Sequence, residues 1–442
     1  MNNNIYNLKI GVIGVILCVI LLSADCPVYI LSEGKAIYIP EEYSSDDWSQ
    51  DTSRYSYHRM SCTENIVVLW EKGFGNDLST APDLDGNPMS VDLENLKEKL
   101  DRFYHCFRDT LKFVKESSLS EKYRMMCMIQ YSSEGTAYGG TYDDKIGALW
   151  VTPFRLKDPK LNVLAHELGH SFQSQIMADG QGEAWGGSGF FEMASQWMLW
   201  YVNPNWVTDE NYHWQAFKEN THKSFLNIEN IYRSPYILES WSEKHGLPFI
   251  AEMFREGTKE EDPILTYKRM TDISWETFSD EMFRNYQQLV NFDYTHSYNY
   301  TRQWANSFSP FLERMDKTET GWYRVKSEFY PENYGFNVIQ LSVPEAGETV
   351  EVEFKGLSHN SDDVKIPYSL SGWRYGFVGV KEKDGTSIKS EIYRDKDGVA
   401  IFPVTEKLSH IWFIVMGAPT EYGKGLEDQY PYAVRVSGAS VL

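Results

Sequence analysis

A run of ten residues near the middle of the chain limits its fold more than any other segment. Residues 163–172 read Val-Leu-Ala-His-Glu-Leu-Gly-His-Ser-Phe, and Glu167 is the one charged residue among them. His166 and His170 are four positions apart, so on a helix both imidazoles lie on one face, one turn apart. An adjoining apolar stripe consists of Leu164, Leu168 and Phe172. The segment is predicted to be a buried helix that carries two histidines into a shared site.

Two imidazoles placed in this way can bind one tetrahedral Zn²⁺, each at about 2.0–2.1 Å. Glu167 is rotated by about 100° from His166 along the helix, so it faces the open coordination position and not the metal. In that place a carboxylate can take a proton from water. We therefore predict Zn²⁺ as the cofactor, His166 and His170 as ligands, and Glu167 as the general base.

A zinc site of this kind needs a third protein ligand. Glu192 is the one charged residue within 184–201, a segment in which an unpaired charge would cost several kcal/mol. Binding to a metal removes that cost. Glu183 is closer to the histidines in sequence but lies in a glycine-rich loop, where its placement is less rigid. Glu192 is the predicted third ligand and Glu183 is the alternative.

These residues resemble the zinc site of gluzincin metallopeptidases, which have two histidine ligands on one helix and a glutamate ligand on the next. The glycine-rich segment before Glu192 and the presence of Gly169 are similar to enhancin- and mucinase-like peptidases and related secreted bacterial zincins. The specific similarity covers about residues 147–200. It implies an α+β zincin-like catalytic domain, with a small mixed sheet, an active-site helix and a helical subdomain, that hydrolyses peptide bonds.

The resemblance also implies an edge strand that binds an extended peptide through main-chain hydrogen bonds. The segment 147–152, which contains Trp150, has the expected position just before the zinc helix. Gly139 and Gly140 precede it and can allow the substrate backbone to approach closely. An ordinary sheet edge with a flexible turn is the alternative interpretation.

Gluzincins often use a Tyr or His on a later helix to stabilise the oxyanion. Tyr232 is the predicted donor in this chain. Three other candidates stay open: Tyr236, His213 and His222. In thermolysin-like members a carboxylate four residues after the ligand Glu orients the first histidine. Gln196 occupies that position here, with Ser195 beside it, and an amide is the weaker partner.

The remaining sequence predicts a division into four parts. Residues 1–25 are predicted to be a signal peptide, 26–60 a polar linker, 61–330 the zincin-like domain and 331–442 a β-sandwich. Strict alternation in 350–354 and turn-separated strands after it are typical of such a sandwich. The aromatic content of 15% suggests glycan contact through this C-terminal domain.

Charge and the N-terminal segment limit location and partners. The chain has 42 Lys and Arg against 63 Asp and Glu, a net charge of −21, which argues against nucleic acid and anionic membrane surfaces as partners. The uncharged run 10–24 has 15 residues, whereas a spanning helix needs about 20. It fits a secretory signal, followed by cleavage after Ala24 or by lipidation at Cys26. A secreted, periplasmic or surface-tethered protein is expected.

The sequence therefore predicts a zinc endopeptidase that acts on protein or glycoprotein outside the cytoplasm. Two other functions stay open at this stage. One is a non-catalytic glycan- or protein-binding module on a metallopeptidase scaffold, and the other is a different zinc hydrolase, such as an amidase.

Overall fold

The computed structural model describes residues 34–357, 370–424 and 428–442, and the backbone of β1 (Val28–Tyr29), which pairs with β2 (Ile37–Tyr38). The predicted signal peptide and Cys26 lie outside the described residues. The described part is a mixed α/β structure with a largely strand-rich C-terminal region. Among the described residues, every helix is too short or too polar to cross a membrane.

A five-stranded mixed sheet lies in the N-terminal half. Its strands are β3 (Met60–Cys62), β4 (Ile66–Trp70), β5 (Met125–Ile129), β6 (Ala137–Tyr142) and β7 (Ile146–Val151). They are ordered β3-β4-β5-β7-β6, and β4, β5 and β7 are mutually parallel. The sequences of β4 and β5 are uninterrupted apolar runs, and both strands are buried along their whole length, as central parallel strands require.

The outer strand of this sheet is β6, which pairs antiparallel with β7. The prediction that residues 147–152 form the edge strand is therefore wrong. Thr152 N–H donates to the Thr136 carbonyl oxygen at 3.1 Å across this pair. Because hydrogen-bonded and outward-facing residues alternate along an antiparallel strand, residues 137, 139 and 141 direct their N–H and C=O groups to the outer side. No described strand pairs with β6 on that side.

The helices build a layer beside this sheet. The first two are α1 (Leu93–His105) and α2 (Asn162–Ala178). Those that follow are α3 (Phe191–Val202), α4 (Trp206–Asp209), α5 (Asn211–Glu219), α6 (Tyr236–His245), α7 (Phe249–Glu256), α8 (Pro263–Thr271), α9 (Trp275–Val290) and α10 (Tyr298–Thr301). Helix α2 packs against β6 and β7 on one side and against α3 on another, so it lies at the centre of this part.

Two antiparallel sheets make up the C-terminal region. One contains β10 (Phe336–Leu341), β12 (Trp373–Lys381), β13 (Ser387–Lys389) and β15 (Leu408–Gly417). The other contains β8 (Met315–Lys317), β9 (Tyr323–Val325), β11 (Thr349–Gly356), β14 (Asp397–Pro403) and β16 (Tyr432–Ser437). Both contribute to one apolar core, and the first also packs against the helices through Val378 and Trp412.

The predicted linker, residues 26–60, is folded where the structure describes it. Tyr43 and Trp48 are buried, and the Tyr38 hydroxyl donates to Asp143 Oδ2 at 2.7 Å in the turn between β6 and β7. The polar residues of this segment form turns around these aromatic side chains. The linker prediction is therefore wrong for the described residues, because scattered aromatic residues dock onto the sheet.

The C-terminal region also begins earlier than the predicted boundary at residue 331. Phe311 and Met315 are buried in its core, and β8 and β9 extend one of its sheets. These two strands are only three residues long, which is too short for an alternating pattern to show in the sequence.

Candidate metal centre and active-site cleft

Helix α2 carries both histidines into one cleft. Its apolar stripe is fully buried and consists of Leu164, Leu168 and Phe172. The two imidazole rings are 4.7 Å apart between centroids, and their side chains are 12% and 13% exposed for His166 and His170. The four-residue spacing has therefore placed both rings on the same half-buried face, as the sequence predicted.

Helix α3 brings Glu192 to the histidines from its first turn. Gly169 permits this approach, because a Cβ atom at that position would lie 2.9 Å from Ser195 Oγ and 3.4 Å from Met198 Sδ of α3. The close crossing of the two helices thus depends on a residue without a side chain. Glu192 is 28% exposed and faces the same cleft.

Three ligand atoms form a nearly equilateral triangle. Nε2 of His166, Nε2 of His170 and Oε2 of Glu192 are each 3.1 Å from the other two. Ligands at 2.0–2.1 Å from a tetrahedral ion are about 3.3–3.4 Å apart. The donor set therefore fits a single zinc ion, and it is the one group of three such ligands in the described part of the chain.

The electrostatics of the cluster favour a cation among these atoms. Burial opposes the charged form of His170, but the hydrogen bond and the charge of Glu192 outweigh burial and raise the histidine's pKa. Burial likewise opposes the Glu192 carboxylate, whereas the two imidazoles hold its pKa well below the usual range. A divalent metal can replace the proton that this arrangement attracts.

Gln173 and Ser195 contact Nδ1 of His170, the ring nitrogen that is not part of the ligand triangle. The Gln173 amide oxygen accepts a hydrogen bond from His170 Nδ1 at 3.1 Å, and Ser195 Oγ lies 3.1 Å from the same nitrogen. Gln173 Nε2 donates to Ser195 Oγ and to the Phe191 carbonyl at the start of α3. A proton on Nδ1 leaves the lone pair of Nε2 free for a metal. Sequence reasoning missed Gln173, which is fully buried. The signal in the sequence is an amide side chain three positions after a predicted ligand, and therefore on the same helix face.

The residue at the position of the orienting carboxylate, Gln196, has a hydrogen-bond partner other than His166. Gln196 Nε2 is 3.2 Å from Nε2 of His213, and its amide oxygen has no hydrogen-bond partner among the described residues. Nδ1 of His166 is also without a partner in the described part of the structure. The two histidines are therefore held unequally, with His170 the better fixed of the two.

Glu167 shares the cleft with the three candidate ligands. The cleft encloses about 420 Å³ and is lined by Ala137, Tyr138, Gly139, His166, Glu167, His170, Ser174, Met177, Gly187, Phe191, Glu192 and Tyr232. Gly139 brings β6 against the helix, since a Cβ atom there would lie 1.8 Å from the Glu167 carbonyl oxygen. The carboxylate, the ligand cluster and the outer strand therefore meet in one place.

Tyr232 is the oxyanion-donor candidate that lies in the cleft. Its ring stacks on that of His166, with centroids 6.1 Å apart, and its side chain is 42% exposed. Burial, a hydrogen bond with Glu192 and the negative charges of Glu192 and Glu167 raise the pKa of Tyr232. Its hydroxyl therefore stays protonated, as a hydrogen-bond donor must.

The alternative donors lie outside this cleft. Tyr236 is buried between Trp200 and Trp214. His213 contacts Gln196, as described above. His222 is buried against Phe329, and burial together with the charge of Lys223 lowers its pKa to about 4.

Three other predicted site residues are not brought to the cluster. Glu183, the alternative ligand, is exposed and accepts a hydrogen bond from Lys259 N–H at 3.1 Å. Gly140 packs against the Tyr138 ring and does not line the cleft. Trp150 lies in β7, behind β6, where its indole N–H donates to the Tyr142 hydroxyl at 2.8 Å. Of the predicted substrate-binding residues, Gly139 lines the cleft.

A search of curated proteins found no match to this chain. One family model matches residues 30–442, which is nearly the whole sequence and includes residues 30–60 of the segment predicted to be a linker. The chain therefore belongs to DUF6055, a family of unknown function.

Proposed function

We propose that this chain is a zinc-dependent endopeptidase of the zincin type, with a C-terminal β-sandwich, and that it is secreted or tethered to the cell surface. The observation that carries the proposal is the triangle of ligand atoms, 3.1 Å on each side, with Glu167 in the same cleft. Two imidazoles and one carboxylate are a ligand set of catalytic zinc sites, in which a fourth position remains open.

His166, His170 and Glu192 would hold the metal. Bound there, Zn²⁺ supplies a Lewis acid that polarises a carbonyl and makes water more acidic. Glu167 accepts the proton of the attacking water and passes it to the nitrogen of the leaving amine. The Tyr232 hydroxyl donates a hydrogen bond to the carbonyl oxygen as negative charge develops on it.

Strand β6 takes the role of binding the peptide backbone. Its outward-facing N–H and C=O groups, at residues 137, 139 and 141, can pair with an extended substrate. Gly139 lies in the middle of this series and directly against Glu167, so the paired peptide runs past the proposed general base. Because β6 continues on both sides of Gly139, the site suits a bond inside a chain.

The substrate is a protein or glycoprotein outside the cytoplasm. The signal-type segment at residues 10–24 supports this location. The C-terminal β-sandwich supplies a surface on which glycan contact is expected.

The experiment combines metal analysis with a search for cleavage products. Purified protein should contain one zinc per chain by elemental analysis and should generate new peptide termini in a protein and mucin mixture, read by mass spectrometry. Glu167→Gln should retain zinc and lose about 10²–10⁴-fold in rate, the usual scale for a general base. Glu183→Gln, in an exposed carboxylate outside the cleft, is the matched control and should leave the rate unchanged.

Two results would contradict the proposal. Full activity of Glu167→Gln would reject the assigned base. Bound zinc with no cleavage of any protein, mucin or small acyl substrate would instead support a non-catalytic binding module.

A further inference from the structure

The cleft continues beyond the ligand cluster towards the C-terminal end of α2. Ser174 and Met177 follow His170 by four and seven positions, so they lie on the same face of the helix. Both line the cleft, and Met177 is about 10 Å along the helix axis from His170. Phe191, the residue before the ligand Glu192, lines it from α3.

Two apolar side chains line this extension. Phe191 is held in place by its neighbours, whereas Met177 is flexible. The Phe191 ring packs edge-on against Phe254 at 5.1 Å, and the Phe191 carbonyl accepts a hydrogen bond from Gln173 at 3.1 Å. Met177 is half-buried and unbranched, so it can adjust to the shape of a bound group. A rigid aromatic side chain and a flexible thioether that line the same cleft suit an apolar side chain of a substrate.

The charges around the extension disfavour an acidic ligand. The residues that line the described cleft include the carboxylates of Glu167 and Glu192 and no Lys or Arg. The chain as a whole has a net charge of −21. A carboxylate of the substrate would therefore lose its hydration without gaining a cationic side chain as a partner.

The direction of β6 decides which residue of a substrate reaches this extension. Gly139 lies against Glu167, whereas Gly147, which is opposite Thr141 in the strand pair, donates to Gln175 Oε1 at 2.7 Å. Strand β6 therefore runs in the same direction as α2. A peptide that pairs antiparallel with β6 runs the opposite way, with the residues before the cleaved bond beside Met177.

We propose that Ser174, Met177 and Phe191 form a subsite for an apolar side chain on the N-terminal side of the cleaved bond. This inference rests on the proposed peptidase function. The preferred substrates are internal bonds of a polypeptide that are preceded by a large aliphatic or aromatic residue, with acidic residues excluded from that position.

The test uses peptides that differ only in the residue before the cleaved bond, carrying Leu, Phe or Asp. Wild-type protein should cleave the Leu and Phe peptides with kcat/KM at least about 10-fold above that of the Asp peptide. Met177→Asp should remove most of this preference, whereas Met177→Leu, the volume-conserving control, should keep it. Equal cleavage of all three peptides would overturn the subsite and leave the peptidase function standing.

A second measurement tests the subsite without hydrolysis. N-acetyl-phenylalanine hydroxamate and N-acetyl-aspartate hydroxamate present their side chains on the same side of a metal-binding group. Calorimetry on the zinc-loaded protein should show at least about 10-fold tighter binding of the phenylalanine compound, and Met177→Asp should reduce this ratio. Equal affinities would overturn the subsite. A protein that neither retains zinc nor cleaves any peptide would overturn the proposed function and the subsite with it.

Discussion

Helix α2 packs against α3 on one side and against β6 on another. Each contact depends on a glycine, but the two positions differ in how much room they leave for a side chain. At Gly169, on the α3 side, an added Cβ would lie 2.9 Å from Ser195 Oγ, 3.3 Å from the backbone Cα of Ser195 and 3.4 Å from Met198 Sδ. At Gly139, on the β6 side, an added Cβ would lie 1.8 Å from the backbone oxygen of Glu167. At Gly169 the Ser195 hydroxyl can rotate away and the Ser195 backbone needs to shift by only a few tenths of an ångström. At Gly139 a backbone atom at 1.8 Å leaves no such room, so β6 and α2 would have to separate.

The two sides also have different roles in the proposed enzyme. The α3 side contributes Glu192 and also Ser195, which contacts His170. In the proposed enzyme this side therefore affects how tightly the metal is bound. The β6 side contributes main-chain N–H and C=O groups beside Glu167. In the proposed enzyme this side therefore affects how the substrate is positioned. We therefore expect changes on the α3 side to alter zinc affinity, and changes on the β6 side to alter turnover while zinc stays bound.

The largest effect is expected from Glu192, the proposed ligand that α3 supplies. Glu192→Ala removes one of three protein ligands and leaves two imidazoles, so the protein should lose its zinc on dialysis and all measurable hydrolysis with it. Elemental analysis after dialysis measures the loss. Glu183→Ala is the matched control and should keep zinc. If Glu183→Ala lost the metal and Glu192→Ala kept it, the assignment of the α3 side to metal binding would be wrong.

The next effect is expected on the β6 side. Gly139→Ala must push β6 away from α2, because the added Cβ would lie 1.8 Å from the backbone oxygen of Glu167, much closer than the 3.0 Å to Cβ of His170. A displacement of about 1 Å at a reacting site can reduce the rate about 10²-fold, and overpacking typically lowers the free energy of unfolding by about 1–3 kcal/mol. We expect a fall of this size in kcat/KM with one zinc still bound, measured by peptide cleavage and elemental analysis. Loss of zinc in this variant would contradict the expectation that the β6 side affects turnover and not metal binding.

Much of the α3 side could be predicted from the sequence, because its signals are local. The spacing of His166 and His170 depends only on helix geometry. Glu192 is recognisable because it is the single charge in a long uncharged segment. Placement of Tyr232 at the cleft depended on a resemblance, since no local pattern distinguishes it from Tyr236.

On the β6 side the sequence pointed to Gly139 but not to the strand that carries it, because the signals for that strand arise from contacts distant in sequence. Residues 137–142 read Ala-Tyr-Gly-Gly-Thr-Tyr, and glycines are depleted in strands, so the segment resembles a loop. Gly139 is present because α2 lies against it, a contact that no local pattern reveals. The order of β6 and β7 and the docking of Tyr43 and Trp48 are likewise determined by tertiary packing.

A smaller effect is expected from the amide that supports His170. Gln173→Leu removes the acceptor of the Nδ1 hydrogen bond and the donor to the Phe191 carbonyl. Loss of such a partner typically weakens metal binding by about 10–100-fold, which competition with a chelator measures. Gln175→Leu is the matched control, since Gln175 is equally buried on α2 but bonds to Gly147 and Asp179 instead of a ligand. It should lower stability without changing zinc affinity, and equal losses in both variants would contradict the role of Gln173.

The smallest effect is expected from Gly169→Ala. This variant is directly comparable with Gly139→Ala, because each adds one methyl group at a surface where α2 packs against a neighbouring element. The added carbon would lie 2.9 Å from Ser195 Oγ, which can rotate away, and 3.3 Å from Ser195 Cα, which requires α3 to shift by a few tenths of an ångström. Since Ser195 also contacts His170, this movement should weaken zinc binding less than about 10-fold, with little change in kcat for zinc-saturated protein. Chelator competition and kinetics at saturating zinc measure the two quantities. If Gly169→Ala reduced kcat as strongly as Gly139→Ala, the two sides of α2 would not be separable, and the position of α2 as a whole would control both metal and substrate.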